Sequence, residues 1–510
     1  MNIANFYILI SPLLGLSLTL AFFPISAFPF IISLGIFAFI LRKINGNLRL
    51  FLHGLLFGYG FFIIQTYWIP FSIYKANINM EWAVPFLSLL IPVAFAIVIG
   101  ILAILTKYIR HNNVIYSINF AFLWVILEYI RSNVFFPFNW GLLGYTAISV
   151  PWFNNMLAYI GSYGVSFLLA LFSTSLFTKN KIFIISNILL FVCVCVIGEV
   201  RKEEKNNELK SDHAIKIRLV QPNIQQPHYG DSEKQAYIFE TLSKLTLSPG
   251  FENMQYIFWP EASFPYPIIE NSKWFDGLKN FVPMDETKNS ALIFGTDRLE
   301  KNEEKLLSYN SLIALNRKGE ILGYYDKRIL VPFGEYMPYK NTNKLVRKMA
   351  HSVNFDDISK GSTRNIIELD DNIAFLPLIC SESTLAKNHL SLSSYRKYRF
   401  ILNITNDSWF ENTFGPHQHY VISRVKAMEF GLPVIRVANT GVSAIINAYG
   451  DLIKTAQINT EAVIDGVIPP KLKNPTLYYV IQGHIIPAIF TLYSIFLILV
   501  FIFRKELSNE

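Results

Sequence analysis

The chain has 510 residues, of which 52% are hydrophobic, 15% aromatic and only 16% charged, with a mean hydropathy of +0.34. A soluble domain carries nearer ~25% charge, so a wholly water-exposed protein is excluded and a membrane component is expected. The net charge of +8 does not indicate nucleic-acid binding: no basic patch with interleaved stacking aromatics occurs, and much of the surplus sits at the ends of apolar segments.

The opening stretch, 1–23, lacks a basic leader and an A-x-A cleavage signal, so it reads as a retained span rather than a removed signal peptide. A helix needs roughly 20 apolar residues to cross a bilayer. Such runs fall at 6–23, 50–71, 83–106, 114–130, 157–177, 182–198 and 479–503. A shorter run, 28–41, stopped by Arg42 and Lys43, brings the number of spans to about eight. Of the three cysteines, Cys193 and Cys195 lie in the 182–198 run and read as packing or lipid contacts, and Cys380 is far away, so no disulfide framework is present.

Short loops carrying Arg42, Lys43 and Arg49, then Lys107 and Arg110, then Lys179 and Lys181 fall on one side, with Arg504 and Lys505 at the end. The positive-inside rule makes that side cytoplasmic and exports the long segment between the last two spans. Arg201, Lys202 and Lys205 oppose export, but Glu199, Glu203 and Glu204 are interleaved with them. The division is a transmembrane bundle over 1–200, a charged linker over 201–213, an exported domain over 214–474 and a final span over 479–503. In the bundle, Glu128 and Arg131 are three apart and share a helix face, which leaves pairing for assembly and a functional role both open. Pro137, Trp140 and Gly141 mark an interfacial loop that shapes a lipid entrance or serves as an aromatic anchor.

Beyond the linker the pattern changes to short apolar runs ending in polar residues: "IKIRLVQPN", "MQYIFWPEAS", "SALIFGTDR", "SLIALNRKGE", "IAFLPLICSES", "FILNITNDSW", "PVIRVANTG" and "EAVIDGVIP". These predict strands, and "GPHQHYVISRVKAMEFG" predicts a helix between two of them. Strands buried on both faces with helices outside make an α/β domain, and roughly 260 residues suffice for its core. No Gly-rich phosphate loop, H-E-x-x-H or close Cys/His cluster occurs, so neither cofactor nor metal is expected.

Three positions near strand exits carry possible chemistry: Glu261 after "YIFWP", Lys327 after "GYYD" and Cys380 after "FLPLI". A thiol with its ordinary pKa near ~8.5 needs a proton acceptor to attack at neutral pH, and Glu261 can be one. A fixed ammonium such as Lys327 stabilises the oxyanion that attack on a carbonyl creates. Each residue alone has a plainer reading: Cys380 as core, Glu261 beside a helix cap, Lys327 in an exposed turn. Their joint occurrence at strand exits, where α/β folds place ligands, favours chemistry. Asn406 and Asp407 read as an Asx-turn or as orienting a loop, Trp409 as a core or substrate-facing ring, and His417 and His419 as hydrogen-bonding loop or cap residues.

"IFWPEASFPYP", "YYDKRILVPFGEYMP" and "LICSE" together resemble the glutamate, lysine and cysteine signatures of the nitrilase, or carbon-nitrogen hydrolase, superfamily, whose fold is an αββα sandwich. The segments "FLWVILEYIRSNVFFPFNWGLLGYT", "LVQPNIQQ" and "NDSWFENTFGPHQHYVISRVKAMEFGLPVIRVANTGVSAIINAYG" are similar to the bacterial apolipoprotein N-acyltransferase family, over nearly the whole chain. The resemblance implies Glu261 as general base, Lys327 as oxyanion stabiliser and Cys380 as nucleophile, with Glu335 of "PFGE" and Glu382 in support. It departs at Ser381, where a known family member has tyrosine, so a ring's apolar contact beside the nucleophile is lost.

The implied reaction moves an acyl group from a membrane phospholipid, through a Cys380 thioester, to the N-terminal amine of a diacylated apolipoprotein. The implied setting is the periplasmic face of a bacterial inner membrane, with the protein a monomer. A membrane-tethered amidase using water uses the same three residues, and a lipoprotein-binding scaffold is the non-catalytic alternative.

Overall fold

The computed structural model describes residues 3–74, 80–110, 112–135, 138–208, 215–224, 232–269, 274–284, 289–301, 305–340, 342–344, 347–348, 357–362, 366–370, 373–384 and 392–503. Pro137, Arg504, Lys505 and the linker positions 209–213 lie outside them.

Seven helices make the N-terminal bundle: α1 (Ile3–Thr19), α2 (Ile32–Arg42), α3 (Asn47–Thr66), α4 (Val84–Leu105), α5 (Asn113–Ile130), α6 (Leu157–Ser175) and α7 (Lys181–Glu208). With the C-terminal helix Leu477–Ile502, six segments among the described residues are long and apolar enough to cross a membrane, and the two at 7–19 and 28–42 are shorter apolar helices. Among the described residues, eight apolar helices stand where about eight spans are expected, six of them long enough to cross. α7 continues to Glu208, through the first part of the stretch read as a linker. The bundle packs through glycines: a Cβ on Gly54 or Gly58 of α3 would strike the backbone of α4 at Ile99 or Ala96. Cys193 is exposed on α7 and Cys195 half-buried, as suits lipid-facing positions.

The domain that follows is two stacked sheets. The first has the order β13-β1-β2-β4-β5-β6, with β1 (Lys216–Gln221), β2 (Tyr256–Phe258), β4 (Ala291–Lys301), β5 (Leu306–Asn316), β6 (Ile321–Asp326) and β13 (Ala462–Val467); β3 (Ile268–Ile269) pairs with β4. The second has the order β12-β11-β10-β9-β8-β7, with β7 (Ile367–Asp370), β8 (Ile373–Ile379), β9 (Tyr398–Thr405), β10 (Val434–Ala438), β11 (Ala444–Ile446) and β12 (Leu452–Thr455). Each sheet has three parallel central strands, β1, β2 and β4 in one and β8, β9 and β10 in the other, flanked by antiparallel ones.

Alternate residues of each strand enter different cores. Ile217, Leu219, Ala291 and Ile293 meet Phe375, Phe400 and Leu402 between the sheets. Val220, Leu292 and Phe294 face outward to Ile238 and Leu242 of helix α8 (Ser232–Thr246). On the opposite side Leu376, Leu378 and Ile401 pack against the helix Gly415–Phe430, in a core continuous with the membrane bundle. This is an αββα sandwich whose outer helix on one side is also the contact with the membrane part. Glu429 fixes that contact, accepting from the backbone N–H and hydroxyl of Ser162 on α6 at 2.8 and 2.6 Å.

Candidate active site

β2, β6 and β8 end at the same edge of the sandwich, and the loops leaving them carry Glu261, Lys327 and Cys380. The loop with Glu261 lies directly on β4, because Gly295 has no side chain; a Cβ there would sit 2.7 Å from Glu261 Cα. Cys380 is the first residue of a tight turn, Cys380–Thr384, and has φ of +50°. A non-glycine residue in that region stores about 1–3 kcal/mol of strain, which the surrounding contacts must hold.

Lys327 Nζ lies 2.8 Å from Glu335 Oε1 and 3.5 Å from Glu261 Oε1, with all three side chains largely buried. Asn310 of β5 donates through Nδ2 to both carboxylates, at 2.8 Å to Glu261 Oε1 and 3.2 Å to Glu335 Oε1. The second oxygen of Glu261 accepts from the backbone N–H of Asn406 at 2.7 Å, and that of Glu335 from Val331 N–H at 2.8 Å. Each carboxylate is therefore aimed by bonds on both oxygens.

Burial opposes the charge on Lys327, yet Glu335, Glu261 and Cys380 together hold its ammonium above the ordinary lysine range. Burial first, and the nearby Glu261 charge second, push the Cys380 thiol well above its usual value, with Lys327 opposing. Such a cysteine rests as a thiol, and its proton must leave as the sulfur attacks.

The matching models decide the family. A carbon-nitrogen hydrolase model matches residues 216–474, and a model of the apolipoprotein N-acyltransferase N-terminal domain matches 14–175. The apolipoprotein N-acyltransferase of Rickettsia prowazekii is 32% identical over 474 residues, covering 91% of this chain and 92% of the relative. That of Rhizobium rhizogenes is 31% identical, covering 82% and 80%. The chain belongs to the apolipoprotein N-acyltransferase family. Among solved structures, a carbon-nitrogen hydrolase superfamily protein of Xanthomonas campestris aligns with a TM-score of 0.36 at 15% identity, covering 50% of this chain and 91% of that one.

In this N-acyltransferase family member, Glu382 is a bracket. Its Oε1 accepts from Tyr325 Oη at 2.9 Å and from the N–H groups of Arg328 and Ile329 at 2.8 and 3.1 Å; Oε2 accepts from Ile379 N–H at 2.9 Å. One buried carboxylate thus joins the exit of β8 to the loop after Lys327. Ser381 is half-buried, and its carbonyl accepts from Thr384 Oγ1 to close the turn. Trp409 is half-buried in the turn Asp407–Phe410, and among the described residues no hydrogen bond or ring contact joins it to Cys380.

Asn406 forms the expected Asx-turn, accepting from Ser408 N–H, while its own N–H aims Glu261. Asp407 is fully buried between Arg436 Nη2 at 2.7 Å and His419 Nδ1 at 2.9 Å. Burial opposes its charge, but Arg436 and then His419 lower its carboxyl to about 2. His419 is a helix-interior residue with no exposed surface, rather than a loop or cap histidine.

Glu128 and Arg131 do not form an ion pair among the described residues. α5 ends at Ile130, and Arg131 opens a wider turn, so the two heads act separately on the same loop. Glu128 Oε1 accepts from Leu143 N–H at 2.8 Å, and Arg131 Nη1 donates to Phe138 O at 3.2 Å. Asn139 in that loop donates 2.6 Å to Thr384 O, at the end of the cysteine turn.

Sequence reasoning missed Asn310, Tyr325 and Arg436. The available signal was a polar residue inside an apolar strand, strongest for Arg436 in "PVIRVANTG", since an arginine is fully buried only when it is paired.

Proposed function

We propose that this chain acylates the N-terminal amine of a diacylglyceryl-cysteine apolipoprotein, drawing the acyl group from a membrane phospholipid through a Cys380 thioester. The observation that carries this reading is the Cys380 turn, flanked by Lys327 and the aimed carboxylate of Glu261 and held at Thr384 by a loop of the membrane bundle. Withdrawing a lipid chain into water costs about 0.8 kcal/mol per CH₂, so a site braced by membrane helices suits a lipid donor.

Glu261 takes the thiol proton as Cys380 Sγ attacks the ester carbonyl, and Lys327 stabilises the oxyanion. The C–O bond breaks, Glu261 returns the proton to the leaving lysophospholipid, and the thioester remains. The amine then attacks, the C–S bond breaks, and Glu261 receives the amine proton and returns it to the sulfur. An ester is already activated, so the transfer needs no nucleotide. The work is done by one chain on the periplasmic face of the inner membrane.

Intact-mass measurement after incubation with phospholipid tests the reading. The mass should rise by one acyl group and, in separate portions, return to its starting value on hydroxylamine treatment or on adding a diacylated lipopeptide, which gains that group at its N-terminus. Release of free fatty acid with no lipopeptide product identifies a hydrolase, and an unchanged mass identifies a scaffold.

A further inference from the structure

The turn that carries Cys380 is held from the membrane-facing side by a residue that no step above uses. His419 points its Nε2 into the turn, 3.2 Å from Cys380 O and 3.1 Å from Ser383 Oγ. Its Nδ1 lies 2.9 Å from Asp407 Oδ1, and Asp407 is in turn held by Arg436. The Trp140 ring of the membrane loop packs 5.5 Å from the imidazole, centroid to centroid. We infer that His419 is a positioning residue for the nucleophile: the Arg436–Asp407 pair sets the ring, and Nε2, facing Cys380 O and Ser383 Oγ, braces the strained turn.

The chemistry of the contacts assigns the two nitrogens different tasks. Asp407 is a carboxylate, so the Nδ1 facing it carries a proton. Nε2 meets a hydroxyl, which donates or accepts, and a carbonyl, which only accepts. With a proton on Nε2 the ring grips the turn at both atoms; without one it grips Ser383 alone. A φ of +50° at Cys380 is a conformation that a free chain abandons, so the grip has strain to resist. Displacing a reacting atom by about 1 Å is enough to cost on the order of 100-fold in rate.

The inference rests on Cys380 being the acylated residue, and two amide replacements separate it from a packing role. His419→Gln puts an amide N–H₂ near the place of Nε2, within reach of Cys380 O and Ser383 Oγ. His419→Asn puts its amide near the place of Nδ1 and reaches only Asp407. The readout is the single-turnover rate of acyl-enzyme formation on phospholipid, by intact mass, alongside phospholipid affinity and thermal melting.

His419→Gln should acylate within about threefold of the unaltered protein, and His419→Asn at least about tenfold more slowly, with equal lipid affinity. Retained acylation by His419→Asn, or equal losses in both variants, overturns the inference, since a packing defect affects both alike. If the unaltered protein forms no acyl-enzyme, the proposed function fails instead, which the same assay shows first.

Discussion

Lys327 Nζ is held by Glu335 at 2.8 Å, closer than its 3.5 Å approach to Glu261. Among the described residues the ammonium's nearest counter-charge is therefore a carboxylate other than the proposed base, and one oxygen of Glu261 is bonded only to a backbone N–H. Replacing Glu335 by glutamine keeps the shape and removes the charge, which lets Lys327 close on Glu261 and weakens it as a base. Acylation should slow by about 10- to 100-fold, read from the time course of acyl-enzyme mass. An unchanged time course would mean that Glu335 acts only as a brace for its loop.

Lys327 itself is proposed to meet charge that develops during attack. Lys327→Met should lower the acylation rate by about 100- to 1000-fold while phospholipid binding changes little. Stopped-flow acylation and equilibrium lipid binding on the same preparation compare the two effects. Equal losses would make the lysine a headgroup contact.

Glu382 accepts four hydrogen bonds from groups of two separate segments. In Glu382→Gln the amide turns a donor toward at least one of those N–H groups, in a site with 2% exposure. Loss of about 3 kcal/mol of stability is expected, visible as a lower melting temperature in detergent. A melting temperature equal to that of the unaltered protein would contradict the bracket.

Asp297 of β4 has its carboxyl pushed up to about 6, by burial first and then by the charges of Glu261 and Glu335. The folded value lies above the ordinary one, so the fold favours the protonated form. This residue's contribution to stability is full below about pH 4 and is lost as pH rises through about 6. Asp297→Asn removes the repulsion and should stabilise the protein by about 1–2 kcal/mol at neutral pH and by nothing at pH 4, the half-exposed position limiting the gain. Melting curves at the two pH values decide it, and a gain at both would implicate packing instead.

The orientation of the sandwich is open to direct labelling. Lys301 is exposed at the end of β4, and Lys181 is exposed at the start of α7. With Cys380 replaced, Lys301→Cys should react with a membrane-impermeant maleimide once the outer barrier is permeable, and Lys181→Cys only after the inner membrane is broken. The reverse pattern would put the domain in the cytoplasm and remove an exported lipoprotein as its acceptor.

The sequence by itself determined the elements whose signal is local. Twenty apolar residues in a row have few alternatives to a membrane helix, and all eight apolar runs named after the linker are strands. Of the remaining strands, β6 was marked only by its exit at Lys327, and β3, β7, β11 and β12 carry no comparable apolar run of their own. β12 is exposed along its length and β6 at three of its six residues, and such edges need no apolar run. Glu261, Lys327 and Cys380 were legible because each sits just past a strand. That they lie together, and that Asn310 aims two carboxylates at one ammonium, was decided by the pairing of separate segments, Asn310 lying 49 residues from Glu261 and 25 from Glu335. The Glu128 and Arg131 heads show the same limit. Helical spacing put them on one face, but α5 ends at Ile130, and hydrogen bonds to Phe138 and Leu143 took each separately. Local pattern records what a segment must bury; which buried polar groups satisfy one another depends on what the fold brings within 3 Å, and no single segment carries that information.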